Sequence, residues 1–243
     1  HHAGQTNVRR SVSDPSHDAI VNVIGSINLL RLCVKYDVRR IVFASTSAVY
    51  SEPEYIPMDE LHPIRPKSAY GVAKYTVENY MRLFSDIYGL RYNVFRYGNV
   101  YGPRQDPSGK AGVIAIFTEQ LLSGTRPSIF GDGAKTRDYL FVKDVVDANV
   151  LAMEGLAENQ TFNLGHGTEI SDLEVFHAVR RAAGVAIEPV FMDRRLGEAE
   201  RVSLDSSKAA SALGWTPKVG LGTGVDAVVS YDRQERFRIR LSG

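Results

Sequence analysis

The chain has 243 residues, 44% of them hydrophobic and 23% charged, with a formal net charge of +1. This profile excludes a disordered or fibrous chain and leaves room for one large globular domain, or a domain with a smaller lobe. The near-neutral balance gives no bulk pull toward nucleic acid or a membrane surface, and the single cysteine, Cys33, permits no internal disulfide.

Helical periodicity covers residues 18–38, with Asp14, Pro15 and Ser16 as start signals. Cys33 lies in its apolar run "NLLRLCVKY" and reads as a small buried hydrophobe rather than a nucleophile. Residues 39–45, "RRIVFAS", are short, β-branched and apolar, the pattern of a buried strand. After a Pro-rich loop, a helix is expected from residue 68 to about 88, stopped by Gly89, and then a strand over Arg91–Tyr97. Helix and strand alternate with apolar strands, which indicates a parallel α/β sheet with right-handed crossovers.

The second half is more broken. Helices are expected over 112–124, 141–155, 171–184, 206–215 and 219–237, and short strands over 127–133, 161–165 and 188–193. No apolar run approaches ~18 residues, so no membrane-crossing helix is expected. No signal peptide is visible, and the cytoplasm is the expected compartment. The basic end, 236–240, reads as a solvated tail. The six histidines show no metal-ligand spacing, and no metal is expected.

Chemistry concentrates at "YGVAK", residues 70–74. On a helix, Tyr70 and Lys74 stand one turn apart on one face. A phenol titrates near ~10, a neighbouring ammonium pulls that value down, and a general base works best near the operating pH. The alternative is a surface pair that decorates a helix. Thr46 directly follows the strand 39–45, and ligands of open α/β sheets lie outside the carboxyl ends of the strands. The next strand also ends in polar residues, "RYGNVYGPRQ" (96–105), so two consecutive strand ends carry hydroxyl, amide and cation chemistry. The alternative for Thr46 is a cap or turn residue.

In this order, "FASTSAVY", "YGVAK", "RYGNVYGPRQ", "GDGAKTRDYLFVKDV", "FNLGHG" and "SSKAASALGW" resemble the extended short-chain dehydrogenase/reductase family. Within it the resemblance is to UDP-glucose 4-epimerases and kindred nucleotide-sugar epimerases. It implies an α/β fold, a Rossmann-like doubly wound parallel sheet with a smaller C-terminal α/β substrate lobe. Residues 1–105 would form part of the NAD-binding domain with the catalytic residues. Residues 106–243 would form mainly the nucleotide-sugar lobe, with segments around 136–170 returning to the sheet. The family's opening strand, glycine-rich turn and helix have no counterpart. No G-x-x-G-x-x-G occurs, and His1 matches a point after the family's fourth strand, as in an N-terminally truncated sheet short of roughly 60–70 residues.

The resemblance implies tightly held NAD, a UDP-sugar substrate and a homodimer built through helices 18–38 and 68–88. Tyr70 matches the family's base, Lys74 its partner on the nicotinamide ribose, and Thr46 the hydroxyl on the reacting sugar oxygen. Ala3, Gly4, Asn22, Tyr97 and Val100 match positions lining NAD. Asn99 and Arg137 match residues that grip the diphosphate; the alternative for Arg137 is an ion pair with Asp138 or Asp144. Arg195 and Glu198 match a second phosphate-binding arginine and the acid on the nucleotide ribose, with a solvated charge run as the alternative. Phe130 matches a residue against the uracil ring, or packs in the core. Val202, four residues after Glu198, matches the position facing the sugar C2 substituent, where a small side chain leaves room for an N-acetyl group; ordinary strand packing is the alternative.

The implied reaction inverts sugar C4 through a transient 4-keto intermediate. Family dehydratases and decarboxylases carry acids just after the threonine, whereas here Ser47 and Ala48 follow Thr46, so epimerisation ranks first. The other readings are a UDP-uronate 4-epimerase, or an inactive fragment that keeps the fold and sugar-nucleotide binding only.

Overall fold

The computed structural model describes residues 1–50, 52–108, 112–194 and 199–242. Asn7 caps a short first helix, α1 (Val8–Ser13), by accepting the Arg10 N–H at 3.0 Å. Asp14 caps α2 (Pro15–Ala19), with Pro15 at the first helical position where its missing N–H is harmless. One π-helical turn, Ile20–Ile24, joins α2 to α3 (Gly25–Lys35). β1 (Arg40–Thr46), α4 (Ala69–Tyr88) and β2 (Arg91–Tyr97) follow. Ser68 accepts the Gly71 N–H at 3.1 Å to start α4, and Gly89, at φ 69°, ends it in the left-handed region. The second half contains β3 (Asn99–Tyr101), α5 (Val113–Leu122), β4 (Ser128–Phe130), β5 (Thr136–Arg137), β6 (Tyr139–Phe141), α6 (Val142–Met153), β7 (Gln160–Leu164), β8 (Ile170–Ser171), α7 (Asp172–Ala183), β9 (Val190–Met192), α8 (Ser207–Leu213) and α9 (Leu221–Ser242).

The main sheet is parallel, ordered β1-β2-β7, with Thr46, Tyr97 and Leu164 in one row at its carboxyl end. His1 lies along the other edge of β1: its ammonium donates to Val42 O at 2.6 Å, and Ala44 N donates to His1 O at 3.2 Å. Alternation along the strands sends Ile41, Phe43, Tyr92 and Val94 to α3 and α4 on one face. It sends Ala44, Phe95, Phe162 and Leu164 to α6 and α8 on the other. This is a doubly wound Rossmann-like sheet, helices on both faces. A separate core joins α5, α7 and α9 around Phe117, Phe176, Val179 and Val225.

Two expectations need correction. Pro15–Lys35 is continuous helix with mean hydropathy 1.2, long and apolar enough by length and composition to cross a membrane. Scattered polar residues hide this from a search for an unbroken apolar run: Asp18, Asn22 and Ser26 interrupt the run, and all three are buried in the protein. The basic end is no tail either. It continues α9, where Arg236 pairs with Glu119 at 2.6 Å and Arg238 with Glu235 at 2.8 Å. The short pairs β3·β6 and β5·β8 had no sequence signal, since two or three residues carry no periodicity.

Candidate active site

The first turn of α4 is pressed against the backbone that follows β1. A Cβ at Gly71 would come within 2.6 Å of Ala48 O, so only glycine lets α4 approach the 3-10 turn Ser47–Val49 this closely. Ser11 on α1 holds the same turn by accepting the Tyr70 N–H at 3.0 Å. Tyr70 is thereby brought to Thr46, whose hydroxyl caps the 3-10 turn by accepting Ala48 N–H at 3.1 Å and stands beside the Tyr70 phenol. The cap reading of Thr46 and its place beside the phenol hold together.

Lys74 is only 5% exposed, which rules out a surface pair. Its ammonium donates to Ala44 O at 2.8 Å and lies 5.8 Å from the Tyr70 ring centroid and 4.8 Å from that of Phe43. Burial pulls the amine down to about 8, against the buried Asp18 carboxylate, which favours the ammonium. The Tyr70 phenol is pushed up to about 12 by burial, opposed by the nearby Thr46 hydroxyl and reinforced by Asp18. The expectation that Lys74 lowers the phenol is therefore not met: desolvation dominates, and the amine is turned to a backbone carbonyl.

Tyr70 and Lys74 face an open groove of about 1230 Å³ shared with His2, Tyr97, Val100 and Asn149. Tyr97 is fixed by Asn149, which donates to its hydroxyl at 3.0 Å, and by the His2 ring stacked at 6.2 Å. Asn22 bonds Gln5 N and O and the Asp18 carboxylate, and a Cβ at Gly4 would meet Asn22 Oδ1 at 2.6 Å and Lys74 Nζ at 3.9 Å. Gly4, Asn22 and Lys74 thus converge, and Ala3 is exposed beside them. An ammonium donor, a phenol, an apolar wall at Val100 and a glycine cradle fit the ribose and nicotinamide end of NAD.

The expected substrate residues spread along the next strand ends. Asn99 is half-buried, its N–H donating to Asp138 O at 2.6 Å, and Arg137 is half-buried with its guanidinium on Thr136 O at 2.7 Å. Neither carboxylate suggested as an Arg137 partner is idle. Asp138 accepts from His166, Gly167 and Leu204 N–H groups at 2.7, 3.1 and 3.0 Å, and Asp144 accepts from Val219 N–H at 3.1 Å. Phe130 ends β4, half-buried. Val202 is buried with Val49, Tyr50, Met58 and Leu204, the packing alternative; a tyrosine there would overpack the cluster at about 1–3 kcal/mol. Arg195 and Glu198 lie outside the described residues. Sequence reasoning passed over Asp18 and a buried Glu78–Arg96 pair, and saw Asp138 only as a partner for Arg137; Glu78 left a signal, one turn beyond Lys74 on the same helix face.

The family described as NAD dependent epimerase/dehydratase matches residues 1–165. The chain belongs to that family. It is 43% identical over 236 residues to a UDP-glucose 4-epimerase of Mycolicibacterium smegmatis, covering 97% of this chain and 75% of that protein. It superposes at TM-score 0.95 and 44% identity on UDP-glucose 4-epimerase of Thermotoga maritima, solved with UDP-glucose, covering 97% of this chain and 77% of the other. The UDP-glucose 4-epimerase of Thermus thermophilus, solved with NAD, gives TM-score 0.90 and 42% identity, with 96% and 76% covered.

Proposed function

We infer that this chain epimerises C4 of a UDP-hexose of the glucose/galactose type with NAD as cofactor. The observation that carries the reading is the convergence of Tyr70, Thr46 and buried Lys74 at the carboxyl end of β1, in a chain of this family. Bound NAD would supply the acceptor and donor for hydride at sugar C4. Tyr70 takes the C4 hydroxyl proton on its phenolate oxygen and gives it back after the ring has turned. Held high by burial, the phenol is protonated near neutral pH, the form that returns the proton; taking the proton requires positive charge beside the ring to favour the phenolate. Thr46 hydrogen-bonds the reacting oxygen, and Lys74 supplies positive charge beside the ribose. Asn99 and Arg137 grip the diphosphate, which makes rotation of the keto sugar an intramolecular event. Phe130, Arg195 and Glu198 complete the nucleotide site. The sheet, with segments 136–170 added to 1–105, serves the cofactor, and the remaining residues after 105 serve the nucleotide sugar.

Ser47 and Ala48 after Thr46 favour epimerisation over elimination or decarboxylation, since neither supplies a carboxylate. A second copy of this chain is the proposed partner, seated on the exposed apolar residues Ile20 and Ile24 of the long helix and Val72 and Ile87 of α4, in the cytoplasm. Tyr70→Phe tests the reaction: turnover of UDP-glucose drops about 10²–10⁴-fold while calorimetric UDP-hexose affinity holds. Undiminished turnover removes Tyr70 from the chemistry.

A further inference from the structure

Ser45, Arg96 and Asn163 stand in one row across β1, β2 and β7, one residue before the carboxyl end. Before it on this face, β1 and β2 carry apolar residues, Phe43 and Val94 packed under α4. The polar row is buried too: Ser45 is 3% exposed, Arg96 6% and Asn163 0%. Glu78 of α4 comes down onto it. Arg96 clasps the Glu78 carboxylate with Nε at 3.1 and 3.2 Å and with a terminal nitrogen at 2.6 Å, while the Ser45 hydroxyl donates to the other side of the same carboxylate. Arg96 also donates to the Tyr50 hydroxyl at 2.7 Å, and Tyr50 donates to Asn163 Oδ1 at 2.7 Å.

Resting on the reading above, we propose that Glu78 and Arg96 are positioning residues for the epimerisation site: they lock α4 to the end of β1 so that Tyr70 and Thr46 hold one fixed separation. Glu78 follows Lys74 by one turn and Tyr70 by two, and its partner Ser45 is adjacent to Thr46, so the clasp ties the two halves of the catalytic set. Apolar packing of Val77 and Met81 on the sheet tolerates sliding along the strands, whereas a forked guanidinium on a carboxylate admits one register. Stability alone is a poor reason for such a row, because buried ion pairs roughly break even against well-packed apolar side chains.

Two variants decide it. Glu78→Asp keeps the charge opposite Arg96 but draws the carboxylate back by one methylene, out of reach of Ser45 and Arg96 together. Its kcat is expected to fall about 10²-fold with KM within about threefold of the parent. In threonine-labelled protein without substrate, the Thr46 methyl resonance, assigned by Thr46→Ser, shifts. Glu78→Leu with Arg96→Met replaces the clasp by apolar packing, and is expected to melt near the parent temperature yet keep the low kcat. Parent kcat in either folded variant, or an unmoved Thr46 resonance in Glu78→Asp, overturns the proposal; where one variant does not fold, the other decides. A parent protein that does not epimerise UDP-glucose counts against the function, while the Thr46 resonance still reports on the clasp.

Discussion

The sheet and the α5/α7/α9 lobe are held together by different physics. Around α4 the structure buries polar and charge-bearing side chains, Glu78, Arg96 and Lys74 and, on α2, Asp18, each against a specific partner. The lobe core is hydrocarbon and aromatic, with Phe117 and Phe176 edge to face at 6.1 Å, and its ion pairs are at the surface, as for Arg236 and Glu119. Apolar cores tolerate repacking, while buried polar networks hold one geometry or fail at high cost. α4, which carries Tyr70 and Lys74, belongs to the region that holds one geometry.

The comparison breaks most visibly with two truncations of similar stability cost. Arg96→Met leaves Glu78 buried without its counter-charge, and Phe176→Ala opens a cavity; each is expected to cost about 3–5 kcal/mol in urea denaturation. Turnover per folded molecule separates them. It collapses for Arg96→Met and stays at the parent value for Phe176→Ala, because Phe176 packs within the lobe core rather than against α4.

A smaller effect reads the buried charge directly. Lys74 titrates near 8 in the folded chain, below its ordinary 10.5. Between these values the unfolded chain binds more protons than the folded one, so stability attributable to Lys74 rises with pH across the window, by at most about 3 kcal/mol. Above pH 10 the sign reverses for Tyr70, Tyr97 and Tyr50, whose folded phenols are pushed up to about 12 and keep protons that the unfolded chain has lost. Lys74→Met therefore removes a stability increase between pH 8 and 10, measured as the difference between two denaturation series. A parallel pair of curves contradicts the buried, depressed amine.

The smallest effect sharpens the contrast at the surface. Lys218 pairs with Asp147 at 3.1 Å, with side chains 70% and 47% exposed. Lys218→Ala is expected to change stability by less than about 1 kcal/mol, and less again in high salt.

Sequence by itself determined the elements whose signals are local. Ser68 and Gly89 bracket α4, the apolar run after Arg39 makes β1, and a spacing of four puts Tyr70 and Lys74 on one helix face. The motifs in their order were also enough to recognise the family and its chemistry. Tertiary structure alone decided what those residues meet. Arg96 and Glu78 are 18 positions apart, and Asp138 bonds Leu204 across 66. Val202 lies in no strand and packs beside Tyr50. Even the titration of Tyr70, which spacing alone assigned to Lys74, is governed by burial. Periodicity reports which face of an element is apolar, but not which element lands on it; that depends on the register of parallel strands joined by long crossovers, and register places a polar row under Glu78.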